Sequence, residues 1–220
     1  MDVLSTIQGI PVIPGDVLLG FFAASVILAL APGPDNIFVL TQSALTGRLS
    51  GIATVLGLCT GLVAHTAAVA LGVAGLVQGS ETGFTLLKFA GACYLLYLAW
   101  HAFRASAVRL AAGGGARHPG AGRLYGRGII MNITNPKVSL FFIAFLPQFA
   151  DPERGSVMLQ LLILGGVFIV STCLVFGSIA LLAGTLGPWI GRSARAQRVM
   201  HSMAGVVFVV LALSLVASER

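Results

Sequence analysis

Long apolar blocks, separated by short polar intervals, run the whole length of the chain. Six blocks stand out, at roughly 17–45, 51–77, 84–103, 128–149, 157–186 and 199–217. Each approaches or exceeds the about 20 mostly apolar residues that a helix needs to cross a bilayer. The pattern predicts an all-α integral membrane protein of six transmembrane helices. The first and fifth blocks are longer than one crossing requires, so tilting or breaking is expected there.

Two blocks carry helix-breaking motifs near their middle. The first contains Ala31-Pro32-Gly33-Pro34-Asp35-Asn36, and the fourth contains Asn132-Ile133-Thr134-Asn135-Pro136-Lys137. Each places a charge directly after a proline and follows it with an apolar run, Ile37–Leu40 in one and Leu140–Ile143 in the other. Proline removes an N–H donor, clashes with the preceding turn and pushes the residue before it out of helical geometry. Helices 1 and 4 are therefore expected to be broken.

The long polar interval at 104–127, rich in Gly, Ala and Arg, divides the chain into residues 1–103 and 128–220. It reads as a flexible cytoplasmic linker between two halves of three helices each. With an odd number of crossings per half, related halves must be inverted with respect to one another. Two inverted three-helix repeats are a recurrent plan of secondary transporters.

Backbone groups freed at the breaks cannot face lipid and must be buried in protein or line a wet cavity. Proline also suits the first position of a new helix, so each motif is expected to start a half-helix whose positive end lies at mid-depth. Such ends favour anionic groups, a substrate carboxylate among them. Charges inside a bilayer cost at least ~2.5–3.5 kcal/mol. Asp35 at a helix N-terminus is favoured by the dipole. Lys137 at the same kind of position is not, and is expected to need a carboxylate, from Asp35 or from a ligand. A structural Asp35–Lys137 ion pair between the repeats is one reading; contact of both groups with substrate or a proton is the other.

Further polar residues lie within the blocks. Asn36, Gln42, Asn132 and Asn135 are close to the breaks and suit either substrate or the broken backbone. His65 is either a proton carrier or a packed, hydrogen-bonded histidine. Gly57 and Gly61 form a GxxxG pattern, the mark of a close helix contact.

Composition agrees with the membrane reading: 57% of the 220 residues are hydrophobic and only 9% are charged. Soluble domains carry roughly a quarter charged residues. Met1–Pro14 lacks a basic start and a long apolar run, so the first block is expected to persist in the mature protein. The net charge of +6 is not a nucleic-acid stripe. With the N-terminus outside, Arg48, the arginines of 104–127, and Arg192, Arg195 and Arg198 all fall in inner loops. That bias places both termini outside a bacterial cytoplasmic membrane. The three cysteines, Cys59, Cys93 and Cys173, lie in apolar blocks without a Cys-x-x-Cys, and suit small buried residues rather than a zinc site.

The Pro32-Gly33-Pro34-Asp35 motif, Asn135-Pro136-Lys137 and the third block Lys88–Leu98 resemble the LysE/RhtB family of bacterial amino-acid exporters over nearly the whole chain. The resemblance implies proton-driven efflux of an amino acid, of threonine, homoserine or basic type, and no enzymatic activity or cofactor. On the combined reading, the substrate lies at mid-membrane between the broken helices. Its ammonium meets Asp35 and freed carbonyls, and its carboxylate meets half-helix N–H groups or Lys137. Pro32, Gly33, Pro34, Asn36, Asn135 and Pro136 shape that site; Gln42, His65 and Asn132 are secondary members. Asp35 is the candidate proton carrier, and a homodimer is one expected assembly. Two other readings stand beside it. A divalent metal-ion exporter would need more converging ligands than Asp35, His65 and scattered cysteines provide. A transmembrane thiol–disulfide electron carrier would need two cysteines, such as Cys59 and Cys173, to face each other.

Overall fold

A computed structural model describes residues 13–79, 81–105, 120–192 and 194–217, all helix or short connection with no strand among them. Eight α-helices follow in order: α1 Gly15–Leu30, α2 Pro34–Thr46, α3 Arg48–Gly79, α4 Glu81–Arg104, α5 Ala121–Ile133, α6 Pro136–Leu140, α7 Val157–Arg192 and α8 Ala194–Ala217. A π-helical turn at Phe141–Phe145 and a 3-10 turn at Leu146–Phe149 continue α6, and a second 3-10 turn, Pro152–Arg154, precedes α7.

Both expected breaks are present. Helices α1 and α2 meet at 62°, and α5 meets the segment Pro136–Phe149 at 50°. Each second half begins with proline at its first position, Pro34 after an extended Gly33 and Pro136 after an extended Asn135. Proline at N1 loses nothing, because that N–H has no intrahelical partner in any case. Three helices contain stretches long and apolar enough to cross a membrane, Arg48–Gly72, Thr85–Arg104 and Val157–Ala183. The number rises to five if each bent pair counts as one crossing, and α8 adds the shorter apolar stretch His201–Ala217. Most of the interval expected as a linker lies outside the described residues, but its end does not. Helix α5 starts at Ala121, ahead of the apolar block, and buries Leu124 and Gly128.

Helix α3 is central, packed along α5 and α7; α4 runs against α8, and α1 and α2 lie on α7. The GxxxG pattern does what its spacing predicts. A Cβ at Gly57 would collide with the Tyr125 carbonyl, and one at Gly61 would lie 2.7 Å from the Cβ and Oδ1 of Asn132. The two glycines thus let the backbones of α3 and α5 approach. At the α2–α3 corner Gly47 adopts φ 91°, a left-handed conformation that only glycine takes readily. The main core joins Phe21, Phe141, Phe142, Phe145 and Phe168 across α1, the α6 segment and α7. Large apolar side chains also cover the outside: Leu49 is 81% exposed and Leu71 77%. A soluble monomer rarely exposes apolar surface on this scale, whereas lipid covers it at no cost.

Candidate functional site

The two breaks face each other in the interior and bring five polar side chains of the motifs together. Asp35, Asn36, Asn132, Asn135 and Lys137 are all buried, between 1% and 8% exposed. Asp35 is the second residue of α2, where the helix dipole favours a carboxylate. Asn135 links the breaks and has two tasks. Its Oδ1 accepts from the Lys137 backbone N–H at 3.0 Å, capping α6, and its Nδ2 donates to Asp35 Oδ2 at 2.9 Å.

Lys137 is held differently from the sequence expectation. Its ammonium does not approach the Asp35 carboxylate within salt-bridge distance, whereas Arg154 and Asp151 do form an exposed ion pair. Instead Lys137 Nζ donates to the carbonyls of Ala31 at 3.0 Å and Leu28 at 3.3 Å. These oxygens end α1, so the cation sits on the negative end of one broken helix although it belongs to the start of another. A direct Asp35–Lys137 ion pair is thus absent, and the α1 carbonyls supply negative charge that the dipole of the lysine's own half-helix does not. Gly33 makes room for this contact: a Cβ there would stand 3.2 Å from Nζ.

The remaining motif residues complete the frame. Asn36 Nδ2 donates to the Ala29 carbonyl at 2.7 Å, another freed oxygen of α1. Asn132 lies where α5 ends, and its backbone carbonyl is 3.2 Å from His65 Nε2. A carbonyl only accepts, so that ring nitrogen carries the proton. His65 also packs against Phe142, with ring centroids 5.6 Å apart. Pro32 lies in the turn between α1 and α2, while Pro34 and Pro136 are exposed at the starts of their helices. Gln42 stands apart from the cluster: it is half-buried on α2, about 10 Å along the axis from Asp35 at 1.5 Å per residue.

Three acceptors in this frame are buried without a protein donor: Asp35 Oδ1, Asn36 Oδ1 and Asn132 Oδ1. Buried polar atoms are nearly always satisfied, by protein or by water, and all three of these belong to residues of the two breaks. Asp35 and Asn132 line a small cavity together with Lys137, Leu62, Phe168 and Thr172. It offers about 10 Å³ to the centre of a water-sized sphere, room for about one water. Thr172 and Phe168 of α7 went unnoticed in the sequence. The Ser171-Thr172 pair inside an apolar block was the available signal, and both residues are buried here.

Paired broken helices with buried charges at their breaks, in a bundle covered by apolar side chains, define a membrane transporter of the broken-helix kind. The sequence matches the LysE type translocator family over residues 26–219, and the chain belongs to that family. Among curated relatives it is 34% identical over 201 residues to the homoserine/homoserine lactone efflux protein of Salmonella typhimurium, covering 91% of this chain and 95% of the relative. It is 31% identical over 193 residues to an uncharacterized membrane protein of Vibrio cholerae (88% and 93% covered). An uncharacterized membrane protein of Bacillus subtilis is 28% identical over 202 residues (87% and 94% covered). No solved structure gives a significant match.

Proposed function

We propose that the chain exports a small amino acid of the homoserine or threonine type across the bacterial cytoplasmic membrane, with protons as the counter-ion. One observation carries this reading: of three unpaired buried acceptors at the breaks, two, an Asp35 carboxylate oxygen and Asn132 Oδ1, belong to residues that line the cavity, and the third is on Asn36, next to Asp35 in the chain. An α-ammonium group has three N–H donors and a positive charge, and so matches that set. The substrate carboxylate would turn toward the start of α2, where Gly33 supplies no side-chain cap, and toward the Lys137 N–H that its two carbonyl partners leave over. The name of the Salmonella relative points to the same substrate class.

The cavity admits about one water, so an amino acid enters only when the elements around it separate. Alternating access by two inverted repeats supplies that motion. The bent pair α1–α2, then α3 and α4, corresponds in order to the bent pair α5–Phe149, then α7 and α8. Six crossings follow, with both termini outside and the arginine-bearing ends of α4 (Arg104), α5 (Arg123, Arg127) and α8 (Arg195, Arg198) inside. Asp35 carries the proton on the return step. The divalent-cation reading is weaker, because Asp35 is joined at the breaks by amides rather than by further carboxylates, imidazoles or thiolates.

The test is efflux from cells preloaded with labelled homoserine or threonine, comparing the wild type with Asp35→Asn at matched membrane levels. Export by the wild type that is absent in the variant supports the reading. Equal export, with equal dependence on external pH, overturns the role of Asp35 in substrate and proton binding.

A further inference from the structure

Helices α3 and α7, the long unbroken helix of each half, touch through a pair of thiols. Cys59 Sγ and Cys173 Sγ are 3.2 Å apart. They lie 114 positions apart in sequence, well inside the apolar stretches Arg48–Gly72 and Val157–Ala183. Cys59 is buried among Val39, Val55 and Phe176. Cys173 is exposed, and so are its neighbours Val170 and Leu174, each at 55%. An exposed thiol flanked by exposed apolar residues within a spanning helix is open to the hydrocarbon rather than to water. The position is also next to the site, since Thr172 lines the cavity at the breaks.

We propose that Cys59 and Cys173 form an oxidisable dithiol, converted to a disulfide by a lipid-soluble quinone, and that the bond arrests export by pinning α3 to α7. The reaction balances within the pair and its oxidant. Two S–H bonds break and one S–S bond forms. Two electrons and two protons pass to the quinone oxygens, leaving a hydroquinone. Cys173, reachable from the lipid, meets the oxidant, and Cys59 closes the bond. From 3.2 Å, the sulfurs need approach by only about 1.2 Å to reach a bond length of ~2.05 Å. The arrest rests on the proposed alternating access, in which the two halves must move past one another; the disulfide itself does not.

The experiment uses tetramethylbenzoquinone, whose fully substituted ring has no open position for thiol addition. It is applied to the full-length protein in membranes, followed by alkylation of the denatured protein and an efflux assay. The expected result is that alkylatable thiols fall from three to one, Cys93 remaining, and that efflux is lost and then restored by a membrane-permeant reductant. Cys173→Ser is expected to keep two alkylatable thiols and full efflux under the same treatment. Oxidised glutathione, which stays in water, is expected to leave all three thiols free. Three free thiols after quinone treatment would overturn the proposal, as would equal oxidation by glutathione disulfide. A disulfide that forms without loss of efflux overturns the arrest while leaving the exporter reading intact. Absence of efflux before any treatment counts against the exporter reading alone, and the thiol count still decides the disulfide.

Discussion

Asn135 Nδ2 donates to Asp35 Oδ2 at 2.9 Å and so joins two broken helices through residues 100 positions apart. The carboxylate has its other oxygen unpaired and buried. One side of Asp35 is therefore fixed by the protein, and on the proposed function the other receives the substrate. Replacing it by alanine strands the Asn135 donor inside the bundle, and leaving a buried group unpaired costs about 1–3 kcal/mol. Replacing it by asparagine keeps an acceptor for Asn135 but removes the charge. We expect Asp35→Ala to lose both thermal stability and export, and Asp35→Asn to lose export at a near-normal melting temperature. Unfolding in detergent, run beside efflux, checks the separation.

Lys137 gives a sharper expectation because its partners are carbonyls. Exchanging the charges, Asp35→Lys with Lys137→Asp, would set a carboxylate against the carbonyl oxygens of Leu28 and Ala31. A direct ion pair would survive such an exchange; this arrangement does not. The double variant is expected to be less stable than either single variant, with no recovery of export. Membrane levels and melting temperatures of the three variants provide the measurement, and a rescued double variant would rule out the carbonyl seat as the chief role of the lysine.

The breaks were legible because proline chemistry is local. Pro34 and Pro136 start half-helices wherever the rest of the chain goes, and the glycines of Gly57-x-x-x-Gly61 announce a close neighbour without naming it. The partner of Lys137 was not legible. It depends on how α1 is turned toward α6, and backbone carbonyls carry no signature in a sequence. The same holds for Asn135, whose two tasks follow from its place between Lys137 and Asp35. Hydropathy puts Cys59 and Cys173 in different spans and says nothing of whether they meet. Their contact required the register of α3 against α7, which hydropathy does not contain.

That register makes neighbouring glycines unequal. A Cβ at Gly165 would collide with the side chain of Thr66, whereas one at Gly166 meets nothing within 4 Å. Alanine is favoured over glycine within a helix by about 1 kcal/mol, and overpacking costs about 1–3 kcal/mol. Gly166→Ala is therefore expected to leave the melting temperature unchanged or raise it, and Gly165→Ala to lower it. Thermal unfolding of the two purified variants decides the matter, and equal shifts would contradict the packing of α3 on α7.

The unpaired acceptors also predict which part of the substrate is indispensable. Asn36 Oδ1 and Asn132 Oδ1 can only accept, and Asp35 Oδ1 accepts while the carboxylate is ionised, so they discriminate by what the ligand donates. N-acetylation leaves one N–H and no charge where the free amino acid has three donors and a positive charge. A site with three buried acceptors then keeps at least two unmatched, at about 1–3 kcal/mol for each. Esterifying the carboxylate leaves this contact whole and removes only the interaction with the α2 terminus and Lys137. We expect N-acetylhomoserine to give no thermal stabilisation of the purified protein, and the methyl ester to retain part of the stabilisation given by homoserine. In Asp35→Asn the preference for a free ammonium should shrink, since the charge that favours it is gone. Reversal of the order, with the ester inactive and the N-acetyl compound active, would mean that these acceptors do not hold the ammonium.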